Sequence, residues 1–203
     1  MRFLRRVQAK SEQFLPTDLV MLDCEMTGVV PKRDQLLQVA ALKLRLDDRR
    51  YRVVGEPLNE FLAYRGQPSN DFHRKYLVHV FQRCNASNLT PQQLKVKLHA
   101  WLGPLRGKVQ PVGDCVPTDV AFLLEKGCAD GNDIGDSGPI PGTFSYEFFD
   151  LNAVKAIARA KAGSKFDKQL PLDPGVHDAL VDCQNQLLEL NAFLDRLLGD
   201  VHP

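Results

Sequence analysis

The chain predicts a single α/β domain with a mixed central sheet flanked by helices, and three observations carry that expectation. Three strand-like runs open it, at Leu19–Cys24, Gln35–Leu46 and Tyr51–Leu62. Helical and extended segments then alternate. A long amphipathic helix closes it, with an apolar seam at Cys183, Leu187, Leu190, Leu194 and Leu197. The order βββ-α-β-α followed by late helices suits one mixed sheet covered on its faces, and 203 residues fit one domain.

Each element has its own signal. The polar break Asp47-Asp48-Arg49-Arg50 between the second and third runs suits a hairpin turn, with its charges at a solvated tip. A helix is expected over Asp71–Arg83. Another starts at Thr90-Pro91-Gln92-Gln93, where Thr is a good N-cap, Pro fits the first turn and Gln93 completes a capping box. Leu94, Leu98, Trp101 and Leu102 recur at helical spacing, which assigns Trp101 to the core and not to a base-stacking platform. Val109–Gly113 reads as a short strand and Pro117–Lys126 as a short helix. Cys128–Thr143, with four Gly, two Pro and three Asp, reads as an irregular loop. Phe144–Asp150 resumes a strand-like segment, a helix runs from Asn152 to Ala162, and the closing helix covers Val176–Leu198.

Composition narrows the classes. The hydrophobic fraction of 44% and charged fraction of 25% are those of a chain able to bury a core. A net charge of +1 gives no overall attraction to a polyanion, so a nucleic-acid partner would need local basic patches. Five cysteines with no Cys-x-x-Cys point to reduced thiols in an intracellular compartment, neither a disulfide scaffold nor a zinc site. Residues 1–16 open with four basic residues and no acid in the first eleven. They read as a solvated basic arm, with a cytoplasmic location favoured, or as a short targeting segment, with a mitochondrial one. No stretch approaches a membrane span.

The chemistry-bearing feature is the Asp-x-Glu pair in Leu19-Val-Met-Leu-Asp-Cys-Glu-Met-Thr-Gly28. Strand side chains alternate faces, so Asp23 and Glu25 share one face and Cys24 takes the other. Two carboxylates at the end of an apolar strand repel each other and lose hydration. A divalent cation with oxygen ligands offsets that, although an N-cap plus a surface acid is the plainer reading. Gly113-Asp-Cys-Val-Pro-Thr-Asp119 places Asp119 in the first turn of a helix after a strand, where it joins such a site or simply favours the helix N-terminus. Gly175-Val-His-Asp-Ala-Leu-Val-Asp182 supplies His177 and Asp182. Residues five apart diverge by about 140° on a helix, so His177 meets Asp182 only from at or before the first turn.

In that order, Asp-x-Glu, Gly-x5-Asp and His-x4-Asp resemble the DEDDh 3′–5′ exonuclease superfamily. Leu22-Asp-Cys-Glu-Met-Thr-Gly28 with Arg33-Asp-Gln-Leu-Leu-Gln-Val-Ala40, Tyr146–Lys155, and His177-Asp-Ala-Leu-Val-Asp182 look like oligoribonuclease segments. The resemblance implies a ribonuclease H-like fold over residues 17–198, within a single exonuclease domain at 17–203. It implies two-metal hydrolysis of short single-stranded RNA to nucleoside 5′-monophosphates. Asp23, Glu25, Asp119 and Asp182 would hold two Mg²⁺ or Mn²⁺ ions about 3.5–4 Å apart, and His177 would take the proton from the attacking water. Met26, Thr27, Val29 and Tyr146 would contact substrate, with Tyr146 contributed across a homodimer interface.

The chain departs from the family around the substrate. Val29 stands where Leu is usual, and Asp114-Cys115 replaces Asn-Ser. Ser145 and Glu147 flank Tyr146 in place of His and Arg. Glu147 and Asp114 place negative charge where an anionic substrate is expected. Phe72 and Tyr76 are candidates for base stacking or for core packing. The same residues suit two further readings: a 3′–5′ exonuclease on DNA or longer RNA, and a catalytically weak binding or structural subunit of a larger assembly.

Overall fold

The computed structural model describes residues 15–135, 138–145, 147–162 and 177–199. Its sheet is built from β1 (Asp18–Met26), β2 (Leu36–Asp47), β3 (Arg50–Val53), β4 (Leu58–Phe61), β5 (Gln110–Gly113) and β8 (Phe149–Asp150). The order is β3-β2-β1-β5-β8, with β4 also paired to β2. β1 is antiparallel to β2 and parallel to β5, so the sheet is mixed, as expected. The helices among the described residues are α1 (Asp71–Tyr76), α2 (Val78–Ala86), α3 (Pro91–Leu102), α4 (Val116–Glu125), α5 (Leu151–Ala162) and α6 (Ala179–Gly199).

The alternation along β1 sorts the core into two layers. Val20, Leu22 and Cys24 pack with Leu94, Leu98 and Leu102 of α3 and with Val116, Val120 and Leu123 of α4. Leu19 and Met21 face the other way, onto Cys183, Leu190 and Leu194 of α6. Each such fully buried side chain contributes about 2 kcal/mol. The apolar seam of the closing helix is therefore its contact with the sheet. At α3 the capping box forms as spaced: Thr90 Oγ1 accepts the Gln93 amide and Gln93 Oε1 accepts the Thr90 amide. Trp101 packs half-buried against the first layer, with its indole N–H on Glu56 O and the Lys43 ammonium over its ring.

Three segments differ from expectation. The hairpin turn forms at Asp48 and Arg49, both at positive φ, the pairing that matches strand twist in a two-residue hairpin. The run after it, however, is two strands and not one. β3 pairs the far end of β2 and β4 its near end, and Gly55 at φ 74° with Pro57 fills the break. The helix expected over Asp71–Arg83 is also two, interrupted at Leu77. Leu77 is buried with Leu37, Phe61, Val80 and Phe81 in a third apolar patch, and tertiary packing there outweighs the continuous helical pattern. In the glycine-rich loop, β6 (Asp133–Gly135) pairs with β7 (Gly138–Ile140), and Thr143 ties its base to Asp130 through backbone and hydroxyl. Among the described residues no helix is long and apolar enough to cross a membrane. The five cysteines are free, Cys115 being exposed and the others buried.

Candidate active site

β1 carries Asp23 and Glu25 past the point where the neighbouring strand ends. Pairing with β5 stops at Met21–Val112, so the last turn of β1 is open on that side. Asp119, in the first turn of α4, fills the opening. It is 4% exposed, it is hydrogen-bonded to the backbone of Cys24, and its Oδ2 is buried without a hydrogen-bond partner. Gly113 permits the close approach of the end of β5 to β1: a Cβ there would lie 2.4 Å from the Leu22 carbonyl oxygen.

The other two residues come from α6. Asp178 caps that helix by accepting the amides of Leu180 and Val181, which leaves His177 just before the first turn and Asp182 within it. Ala179 N–H is in turn pinned to the buried Gln38 side chain of β2. Glu25, His177 and Asp182 each present a ligand atom, and the three atoms lie within 4.8 Å of one another. His177 thus approaches Asp182 from ahead of the helix, as the five-residue spacing requires. Phe72 and Tyr76 of α1 pack edge-on against the His177 ring, each with centroids 4.9 Å away.

Electrostatically the cluster is strained. Burial, followed by repulsion from Asp23, Asp182 and Asp178, pushes Glu25 up to about 9. Burial and then Asp178 and Asp114 push Asp182 to about 6. Asp23 and Asp119 move upward too, burial leading in both. Asp182 adds to the rise at Asp23, where a hydrogen bond from Gln186 opposes it, and Asp23 and Glu25 add to it at Asp119. Burial and like charge are the physical means by which carboxylates are kept protonated. A set of four carboxylates, with one buried oxygen lacking a partner and a histidine beside it, fits a hard divalent cation.

The remaining expected residues fall around this cluster. Met26 is half-buried against the first core layer. The Thr27 hydroxyl accepts the Gln35 amide at 2.8 Å, closing the loop after β1. Gly28 leaves room there for the Asp34 carboxylate, which the Val30 amide and Arg33 hold and which a Cβ, 2.3 Å away, would displace. Val29 stands 77% exposed at the loop tip, and Phe72 is 46% exposed. Tyr146 lies outside the described residues. Glu147 is paired with the Gln110 side chain. Asp114 does not carry a bare charge into the site: Lys155 of α5 meets its Oδ2 at 2.5 Å and also pairs with Glu189. Burial alone would lower the Lys155 ammonium, but these two carboxylates raise it.

Sequence reasoning missed Gln186, Lys155 and the capping role of Asp178. Gln186 was within reach of it, since it follows Asp182 by four residues on one helix face.

No family model matches the chain. Among curated proteins it is similar to the oligoribonuclease of Cutibacterium acnes, 29% identical over 189 residues that cover 89% of this chain and 86% of the relative. It is also similar to that of Tropheryma whipplei, 25% identical over 189 residues covering 90% and 95%. Among solved structures it shares the fold of cell-death related nuclease 4, with a TM-score of 0.63 at 16% identity. That likeness covers 89% of this chain but 64% of the nuclease, so the chain spans less than two thirds of that protein's length. By its motifs and these likenesses the chain is similar to the oligoribonucleases over most of its length, and it shares the fold of a solved nuclease.

Proposed function

We propose that this chain is a metal-dependent 3′–5′ exoribonuclease that degrades short single-stranded RNA to nucleoside 5′-monophosphates. The observation that carries the reading is the convergence of Asp23, Glu25, Asp119 and Asp182 with His177, from β1, α4 and α6, in a site that raises all four carboxylates. Asp23, Glu25, Asp119 and Asp182 would hold two Mg²⁺ or Mn²⁺ ions, which supply charge stabilisation to the attacking and leaving oxygens of the phosphodiester. His177 acts as the general base, taking the proton of the attacking water on a ring nitrogen. Its edge-on packing against Phe72 and Tyr76 holds the ring in place for that transfer. The exposed Val29 and the half-buried Met26 border the strand-accepting side, while Thr27 shapes that side through its bond to Gln35. Homodimerisation, with Tyr146 reaching the partner's site, is part of the same reading.

The test uses 5′-labelled RNA of dinucleotide, pentanucleotide and roughly twenty-nucleotide length, with matched DNA, in Mg²⁺ or Mn²⁺ and in excess chelator. Metal-dependent shortening from the 3′ end, fastest on the shortest RNA and reduced about 10²–10⁴-fold by His177→Ala, is expected. Undiminished cleavage in chelator sinks the metal mechanism. No turnover on any substrate, with His177→Ala indistinguishable from wild type, replaces the enzyme with a binding subunit.

A further inference from the structure

Gln186 is 5% exposed, one turn beyond Asp182 on α6. Its Nε2 donates to Asp23 Oδ1 at 2.9 Å, and its Oε1 accepts the Asp114 backbone N–H at 3.2 Å. The two bonds fix the sense of the amide. Turned over, it would set its NH₂ against the Asp114 N–H and its oxygen against a carboxylate. The space around it is also fixed, because a Cβ on Gly113 would come within 3.1 Å of Oε1. The turn that offers the Asp114 amide is itself held by Lys155, which also pairs with Glu189, three residues further along α6. One uncharged side chain thus joins β1, the β5–α4 turn and α6. An amide can donate to a carboxylate and accept from a backbone N–H together without adding charge at any pH, which neither an ionised Glu nor Lys can do.

We propose that Gln186 is a positioning residue of this site: it fixes the rotation of the Asp23 carboxylate, engaging Oδ1 so that Oδ2 is the oxygen offered to a cation. The proposal rests on the metal-site reading above. Partners that orient a ligand group are worth about 10–100-fold in metal affinity or activity, because a carboxylate free to rotate must be ordered when the cation binds.

The experiment compares full-length wild type with Gln186→Met, which keeps length and loses both hydrogen bonds. Gln186→Asn serves as the second variant, keeping the amide but shortening its reach by one methylene. Mn²⁺ binding is titrated by the electron paramagnetic resonance signal of free Mn²⁺. Melting is followed in chelator, and kcat and KM are measured on a short RNA. Both variants are expected to weaken Mn²⁺ binding about tenfold or more. They should lower kcat with KM nearly unchanged and melt close to wild type in chelator. Unchanged Mn²⁺ affinity in folded variants, with a lowered melting temperature, would make Gln186 merely structural and overturn the proposal. Wild type that binds Mn²⁺ yet cleaves no nucleic acid overturns the exoribonuclease reading alone, and the ratio of Mn²⁺ affinities still decides the role of Gln186. Wild type that binds no Mn²⁺ overturns both.

Discussion

Asp119 does two opposed things, and replacing it with Asn separates them. Its carboxylate is buried beside Asp23 and Glu25, with Oδ2 lacking a partner, so in the metal-free protein it resists ionisation, and once ionised at alkaline pH it adds repulsion to a desolvated cluster. With a cation present, the proposed function would make the same oxygen a ligand. Asp119→Asn should therefore cut metal-dependent hydrolysis by more than about a hundredfold while raising the melting temperature measured in chelator near pH 9, where the carboxylate ionises. Each kcal/mol of repulsion removed is worth about 2–4 °C for a chain of this size. Calorimetry in chelator and a hydrolysis assay read the two effects, and a variant that loses both stability and activity would contradict the opposition. The acids and His177 were legible from sequence because their residue types, spacing and strand period each point to a metal cluster. Gln186 was missed although it stands one turn beyond Asp182 on the same helix face, since an amide carries no chemistry of its own to mark it. The partner of Asp114 was equally hidden: Lys155 lies 41 positions along the chain, and only folding brings the two together.

Lys155 also matters for how α5 and α6 are joined. Its side chain is 12% exposed and serves Asp114, on the β5–α4 turn, together with Glu189 on α6. Lys155→Met leaves two carboxylates facing each other in a sparsely hydrated space and should destabilise by about 3 kcal/mol, read from urea unfolding. A second change, Glu189→Gln, should recover part of that loss, and its failure to do so would assign Lys155 a packing role alone. Most elements were readable from local signals: the capping box of α3, the alternation of β1 and the seam of α6. The two interruptions were not. Leu77-Val-His-Val-Phe81 keeps a helical apolar pattern straight through the break between α1 and α2. What ends the first helix there is the burial of Leu77 against Leu37 and Phe61, residues of two strands. Local propensity carries no information about that contact.

The molecule as a whole should show an unusual pH dependence without metal. Glu25 is raised to about 9 and Asp182 to about 6, each from an ordinary value near 4. A raised carboxylate favours the folded state below its unfolded value, and the contribution is lost as pH climbs through the folded one. In chelator the melting temperature should fall from about pH 4.5 towards 9, the range set by these two groups. Saturating Mg²⁺ or Mn²⁺ should raise it, most at the alkaline end where the ligands ionise. A flat profile in chelator would mean that the carboxylates are better solvated than their burial indicates. Asp34 and Asp130 are shifted downward by their hydrogen-bonded cations, to Arg33 and Lys95 respectively, and so lose their favourable contribution on the acid side. The short reach of β5 adds a mechanical consequence. Because that strand stops early, an acid from the α4 layer meets acids of β1 and α6 around the sheet's end. A cation seated there, as the proposed function requires, would rivet the two sides of the sheet to each other. Peeling α6 away would then require the rivet to be released, so local opening and cation loss would become a single event, and amide exchange in the first turn of α6 should keep time with the residence of the cation.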